Sequence, residues 1–150
     1  MSVQTNTGMV CKVSSSLPAT DTKAGYEALT WVEVGELTDF PEYGGTTSKV
    51  EHKPLKTGVV EKHKGFIDYG SVNLTFGLDI SDAGQVILED FHDGANQFDN
   101  LSIGIFYQDG LTEYAQAGVF SFTRNPGSSD SIVGGSATVE INTKPVRVTA

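Results

Sequence analysis

Residues 71–80 read SVNLTFGLDI, and this stretch decides the predicted fold. Its apolar residues stand at every second position: Val72, Leu74, Phe76, Leu78 and Ile80. A period of two is typical of a β-strand with one buried face. The pattern therefore predicts a strand whose apolar side packs in a core, while its small polar side meets solvent or a neighbouring molecule.

The next segment, SDAGQVILEDFHDGAN at 81–96, predicts a short helix over 82–93. Ser81 can cap its first turn, and Gly94 can end it in a left-handed conformation. The apolar residues Ala83, Ile87 and Phe91 recur every four positions, which gives the helix one apolar stripe. We expect this helix to be the only one.

The flanking segments predict further strands. Residues 101–124 read as a β-hairpin, because Asp109-Gly110 is a two-residue turn signal between alternating runs. SATVEINT at 136–143 predicts a last strand that Pro145 ends, and YEALTWVEVGEL at 26–37 predicts an early one. The chain is therefore expected to be mainly β, with one helix inserted.

Composition narrows the function classes. The 150 residues are enough for one domain, and the net charge of −9 argues against general affinity for nucleic acid or an anionic membrane. The single cysteine excludes an intrachain disulfide and fits synthesis in a reducing cytoplasm. No apolar run approaches the roughly 20 residues that span a bilayer, so we expect no membrane partner.

Positive charge is concentrated in one segment. SKVEHKPLKTGVVEKHKG at 48–65 has a net charge of +3, whereas the rest of the chain carries −12. The segment lies within 38–67, a connection of uncommon length that can form an extended hairpin with 48–54 as one arm. It contains five of the ten basic residues: Lys49, Lys53, Lys56, Lys62 and Lys64.

Three interpretations of this basic segment stay open. It has no arginine, and its only aromatic neighbour is Phe66 at its edge, which is unlike a DNA-reading element; phosphate binding is an alternative. It can also be a solvated loop. We favour a third interpretation, contact with an acidic surface of another copy, because heterologous contacts of this kind build rings or open stacks.

Enzyme chemistry is not indicated. The three histidines, His52, His63 and His92, do not have the spacing of a metal site, and no nucleophile elbow or phosphate-binding glycine loop occurs. Adjacent acids such as Glu89-Asp90 fit the solvated face of the helix, although Glu89, Asp90 and Asp93 could instead be the acidic partner of the basic segment. We therefore predict a non-enzymatic protein without a cofactor or metal.

Several quoted stretches resemble one protein family. TWVEVGELTDF at 30–40 is similar to the entry into a stacking loop, and LTFGLDISDAGQ at 74–85 is similar to a pattern that precedes a helix. NLSIGIFYQDG and the later AGVFSFTR match a hairpin that follows the helix. In this order they resemble the major tail tube proteins of long-tailed, siphovirus-type bacteriophages, over about residues 8 to 145.

The resemblance implies a β-sandwich or half-barrel with one flanking helix and a single tail tube domain over 1–150. Within it, 1–12 would be a flexible N-terminal arm and 38–67 a long stacking loop. Subunits would form stacked hexameric rings in the virion tail, with genomic DNA passing through the lumen without specific binding. Tape measure, tail terminator and tail tip proteins would be the other partners.

The resemblance and the charge distribution also predict roles for individual residues. Lys49, Lys53, Lys56, Lys62 and Lys64 are expected to contact acidic groups of the neighbouring ring. Candidates for the lumen wall are Asn73, Thr75, Asp79 and Glu33, together with Glu36, Gly77, Ser102 and Gly104.

Two other functions fit the sequence. A stand-alone β-sandwich could recognise a receptor or carbohydrate at a tail tip, although Tyr26, Trp31, Tyr43, Tyr69, Tyr107 and Tyr114 are scattered along the chain. A type VI secretion-like tube protein would share the fold and differ in its cargo.

Overall fold

The computed structural model describes residues 3–149. In chain order its elements are β1 (Val10–Ser14), α1 (Lys23–Glu27), β2 (Val32–Glu33), β3 (Leu37–Asp39), β4 (Thr46–His52), β5 (Glu61–Asp68), β6 (Ser71–Gly77), α2 (Ala83–Asp93), β7 (Leu101–Phe106), β8 (Thr112–Asn125), β9 (Gly134–Ile141) and β10 (Val146–Val148).

Eight strands form one curled, open, antiparallel sheet in the order β2-β1-β7-β8-β9-β6-β3, with β10 also paired to β8. The remaining strands, β4 and β5, pair only with each other and form a separate hairpin, named the hairpin below. With α2 packed against the sheet, the predicted mainly β half-barrel with a flanking helix is confirmed.

The long strand β8 causes the sheet to curl. Its first part, Thr112–Ala117, pairs with β7, and its second part, Ala117–Asn125, pairs with β9. The register shifts between Val119 and Ser121, and a bulge of this kind bends a strand and increases its twist. One continuous strand thereby belongs to both halves of the half-barrel.

The core lies between the sheet and α2. Val72, Leu74 and Phe76 of β6 are buried, as the alternation predicts, and α2 contributes Leu88 and Phe91. The prediction is wrong for Ile80, which is 84% exposed because β6 ends at Gly77. Gly84 lets the helix approach β2 closely, because a Cβ there would lie 2.4 Å from the carbonyl oxygen of Glu33. The face of the sheet opposite α2, named the open face below, carries the alternate positions.

The predicted strand over 26–37 is wrong. Residues 23–27 form α1, which Thr22 caps by accepting a hydrogen bond from the Gly25 amide. Tyr26 is buried and stacks on the ring of Tyr114, with centroids 5.3 Å apart. Strand pairing resumes only in the short β2 and β3, because packing of this aromatic ring overrides the apolar alternation.

The termini of α2 and the chain ends also differ from the predictions. Asp82 rather than Ser81 caps α2, and Gly94 is extended rather than left-handed. Residues 10–12, which lie inside the predicted flexible arm 1–12, belong to β1, because burial of Cys11 fixes that strand in the sheet. Met1 and Ser2 of that arm lie outside the described residues.

Candidate functional site

The hairpin carries its charge on one face. Lys49 pairs with Lys64 across the two strands, and Glu51 pairs with Lys62. Cross-strand partners point to the same side of a ribbon, so three of the predicted lysines share one face with a single glutamate. All residues of β4 and β5 are exposed.

The five predicted contact lysines divide between the two strands and the turn. Lys53 and Lys56 lie in the 53–60 connection at the tip. Glu51 pairs with the amines of Lys49 at 3.2 Å and Lys53 at 3.9 Å. Among the ion pairs found within residues 3–149, none includes Lys56, Lys62 or Lys64.

Apolar side chains are also exposed along the hairpin. Leu55 at the tip is fully exposed, and Phe66 in β5 is 93% exposed. Val50, Val59, Val60 and Ile67 are exposed as well. A lone two-stranded hairpin is marginally stable in water, and large exposed apolar side chains are typical of an interaction surface. The hairpin therefore has the features of a segment that a partner covers.

A half-buried polar cluster joins the hairpin base to the sheet. The hydroxyl of Tyr43, just before β4, contacts the hydroxyl of Tyr107 and donates to Oε1 of Glu113 at 3.1 Å. The Glu113 side chain is 12% exposed, and its other oxygen lies 3.6 Å from Nε of Arg147. These four residues are named the base cluster.

Burial raises the pKa of the Tyr43 hydroxyl, and the contact with Tyr107 and the Glu113 carboxylate raise it further. Burial likewise raises the pKa of Tyr107, as does Glu113. Both phenols therefore stay protonated and remain donors at neutral pH. Sequence reasoning missed this cluster, because Tyr43 and Glu113 are 70 residues apart and belong to no local motif.

A cleft of about 610 Å³ lies beside the base cluster, between the hairpin base and the sheet. Its wall includes Phe40, Pro41, Tyr69 and Lys144. Gly70 lies at the base of the hairpin, where it has a φ of 84°. A Cβ at this position would lie 2.1 Å from the carbonyl oxygen of Gly44. The return of the chain from the hairpin into β6 thus requires glycine.

Three of the lumen candidates, Glu33, Asn73 and Thr75, lie exposed on the open face. Asn73 and Thr75 are exposed and pair with Thr138 and Ser136 of β9. Glu33 is exposed and pairs with Lys12, which lies on the same side as Gly104. The structure therefore brings Glu33, Asn73 and Thr75 to one side of the sheet, opposite α2.

The other candidates do not lie on that surface in the expected way. Asp79 follows the end of β6, and its carboxylate accepts from the amide and hydroxyl of Ser81; these hydrogen bonds lower its pKa. Ser102 is buried and donates to the Ser16 carbonyl at 2.8 Å, while Gly104 lies under the ring of Tyr114. Asp79 is thus a loop residue, while the segment after β1 covers Ser102 and the Tyr114 ring covers Gly104.

The end of the sheet away from the hairpin, named the distal end, is held by buried hydrogen bonds. Nε2 of Gln85 donates to the carbonyls of Gly35 and Gly77, and its Oε1 accepts from the Asp79 amide. Asp82 accepts from the amides of Gly35 and Gln85. The stretch LTFGLDISDAGQ, singled out in the sequence, therefore encodes the junction of β6, α2 and residue 35.

The aromatic residues, although scattered in sequence, are grouped in space. Trp31 and Tyr26 both lie 5.3 Å from Tyr114, centroid to centroid, whereas Tyr43 and Tyr107 form part of the base cluster. Tyr26 and Tyr114 are buried, so the first group is a packing element rather than an exposed platform for a sugar.

Within residues 3–149, no group of three or more His, Cys, Asp or Glu residues could hold a metal ion. Over the same residues, no helix is both long and apolar enough to cross a bilayer.

Solved structures share this fold. No protein-family model matches the chain, and no curated protein matches it by sequence. The chain is similar to a sheath/tube terminator of an extracellular contractile injection system, PVC, with a TM-score of 0.71, 12% identity and 99% of both chains covered.

Tail proteins of other particles are similar as well. A protein in the tail of an empty gene transfer agent particle, refined with C6 symmetry, matches with a TM-score of 0.70 and 12% identity over 98% of this chain and 100% of that one. The SPP1 tail tube protein matches with a TM-score of 0.62 and 13% identity over 95% of this chain and 77% of that one. The chain thus has the fold of tail tube and tube terminator proteins, as the sequence resemblance indicates.

Proposed function

We propose that this protein is a structural subunit of a bacteriophage tail tube, which assembles into stacked hexameric rings around a lumen that conducts DNA. The observation that carries the proposal is the exposed hairpin on a half-barrel of the tail tube fold. In this function the hairpin is the contact between rings.

The exposure of the hairpin supports this role. Every residue of its two strands is exposed, and it pairs with no strand of the main sheet. Burial of side chains such as Phe66 and Ile67 against a neighbouring subunit would remove apolar area from water, at roughly 25 cal/mol per Å². Its lysines would meet carboxylates of that neighbour, in a chain with a net charge of −9.

Ring formation is supported by the open edges of the sheet. The short strands β2 and β3 lie at the two ends of the strand order and leave unpaired backbone groups. Exposed edges are a template for pairing with another chain, and closure of a sheet into a barrel removes them. We take six subunits per ring from the C6 symmetry of the similar gene transfer agent tail.

The open face suits a wall along which DNA moves without adhering. Its exposed residues are mainly hydroxyl and amide side chains, among them Asn73 and Thr75. The register also places Glu33, Asp39 and Glu140 on this side, against Lys12. A surface with excess carboxylates repels phosphates, so DNA would slide past it.

Imaging of the purified protein tests the proposal. Negative-stain electron microscopy at increasing concentration should show hollow tubes, and Lys62→Glu/Lys64→Glu should abolish tubes at physiological salt. Lys23→Glu/Lys144→Glu, with the same change in net charge on exposed residues outside the hairpin, should assemble as the wild type does. Monodisperse monomers of the wild type under every condition would overturn the proposal and favour a stand-alone binding module.

A tube terminator is a second candidate, because a protein of that kind is among the similar structures. A terminator caps a tube and does not propagate it. Wild-type protein that stops at single rings would support this function over the tube subunit. The fold does not distinguish DNA from secreted protein as cargo, and co-purification of the assembled tube with DNA-containing particles would decide for the phage tail.

A further inference from the structure

The distal end presents apolar side chains to solvent. Ile132 is 86% exposed and Ile80 is 84% exposed, while Val133 is 43% exposed. Ile132 and Glu36 both lie next to Gly77, because a Cβ on Gly77 would be 3.8 Å from Cγ2 of Ile132 and 3.7 Å from Cβ of Glu36. These residues therefore form one surface at the end of β6.

Three carboxylates belong to residues next to this apolar surface, in space or along the chain. Glu36 is exposed beside Gly77, and Asp130 is exposed two residues before Ile132. Asp79 is next to Ile80, with a pKa that its hydrogen bonds to Ser81 lower. The surface thus combines exposed aliphatic groups with negative charge. The segment 125–143 contains no lysine or arginine, and Arg124 and Lys144 flank it.

The hairpin has the complementary combination at the opposite end of the same sheet. It emerges next to Ser71, at the start of β6, whereas the distal surface follows Gly77 at its finish. Seven residues of strand separate the two ends by about 20 Å. One end therefore displays aliphatic and aromatic side chains with lysines, and the other displays aliphatic side chains with carboxylates.

We propose that the distal surface, formed by Ile80, Ile132, Val133, Glu36, Asp79 and Asp130, receives the hairpin of a second copy of this chain. This inference rests on the proposed tube function and names the surface of the neighbouring ring that the hairpin binds. The contact is heterologous, since the two surfaces differ, and it leaves a free hairpin and a free distal surface on every dimer. Such a contact propagates into a stack.

The backbone fixes the place of Glu36 on this surface. Glu36 has a φ of 61°, and its carbonyl accepts a hydrogen bond of 2.8 Å from the Gly77 amide. The exposed Glu36 side chain is therefore held beside Gly77, at the rim of the distal surface.

A charge-swap series tests the pairing. Glu36→Lys/Asp130→Lys reverses the distal surface and leaves the fold intact, because both side chains are exposed. Lys62→Glu/Lys64→Glu reverses the hairpin. A chain with all four changes has the wild-type net charge and complementary surfaces of inverted sign. Asp93→Lys/Asp99→Lys is the matched control on other exposed carboxylates.

The readout is the critical concentration for assembly, measured by sedimentation, with thermal unfolding to show that each variant folds. Each double reversal should raise the critical concentration at least about tenfold. The chain with all four substitutions should have a critical concentration within about threefold of the wild type. The control should match the wild type. Ile132→Ser should also raise it, with no change of charge.

The outcomes separate the two proposals. Wild-type tubes combined with unchanged assembly of Glu36→Lys/Asp130→Lys would overturn the distal surface as the receiver and leave the tube function standing. Reversals that weaken assembly without rescue in the four-fold variant would also overturn the pairing, since both surfaces would then bind something else. Absence of tubes from the wild type itself would instead contradict the proposed function.

Discussion

The hairpin and the main sheet are both antiparallel β-structure, yet their burial is opposite. In β6 every second residue is buried, and the sheet packs on α2. In β4 and β5 all positions are exposed. The sheet is thus stabilised by this chain alone, whereas the hairpin has side chains suited to a contact that the isolated chain does not make.

The largest expected effect separates the two regions by a matched substitution. Phe76 is buried against Phe122, with ring centroids 5.7 Å apart, so Phe76→Ala should lower the free energy of unfolding by about 3–5 kcal/mol. Phe66→Ala in the hairpin should change it by less than about 0.5 kcal/mol. Urea unfolding of the unassembled protein measures both. Equal losses would show that the hairpin is packed within the monomer.

The junction at the distal end should give the next largest effect. Gln85→Leu removes the side-chain partners of the Gly35 and Gly77 carbonyls and of the Asp79 amide. Loss of these buried hydrogen bonds should lower the free energy of unfolding by about 2–3 kcal/mol. Gln97→Leu, on an exposed residue, is the control and should be nearly neutral. A neutral result for Gln85→Leu would mean that the junction does not hold the sheet.

Alkaline pH should unfold the sheet through its buried acids. Burial raises the pKa of the Cys11 thiol from 9.0 to about 12, and burial together with Asp21 raises that of Tyr26 from 10.0 to about 12. Between the unfolded pKa values of 9.0 and 10.0 and the folded values of about 12, the folded chain keeps protons that the unfolded chain loses. The free energy of unfolding is therefore highest below about pH 9 and falls as the pH rises to 12. Each group contributes a slope of about 1.4 kcal/mol per pH unit.

Chemical denaturation at pH 8, 9, 10 and 11 measures this dependence. Cys11→Ala should show a flatter decline between pH 9 and 10, because only the thiol ionises so early. A wild-type stability that stays constant up to pH 11 would contradict the burial of Cys11 and Tyr26.

The smallest effect should appear at the hairpin base. Tyr43→Phe removes the hydroxyl that donates to Glu113, which should lower stability by about 1 kcal/mol. Hydrogen exchange of the amides at the hairpin base, residues 42–45, should accelerate, while sheet amides stay unchanged. Tyr69→Phe, in the wall of the same cleft, is the matched control. Faster exchange in the sheet would instead assign Tyr43 to the core.

The sequence predicts those features that depend on neighbours along the chain. The alternation in 71–80 identifies β6, and Asp109-Gly110 identifies the β7–β8 turn, where Gly110 has a φ of 98°. The basic segment is visible as a charge count. Each of these signals depends on a few consecutive residues. It therefore identifies a strand or turn, but not the elements that pack against it in the fold.

Features that depend on distant contacts are missed. The 26–37 segment has apolar residues suited to a strand, but Tyr26 packs on Tyr114 and the segment folds as α1 and two short strands. The base cluster joins residues from four parts of the chain. Ser102 lies in an alternating strand, and its sequence does not show that its polar side is buried. The segment between β1 and α1, which includes Ser16, covers it.

Hydrogen exchange of the hairpin, compared between unassembled and assembled protein, tests the central claim most directly. If the hairpin is the contact between subunits, amides within 46–68 should exchange rapidly in the unassembled chain and become strongly protected in the assembly, while β6 and β9 are protected in both. Equal, rapid exchange of 46–68 in both states would contradict the claim that this hairpin joins the subunits.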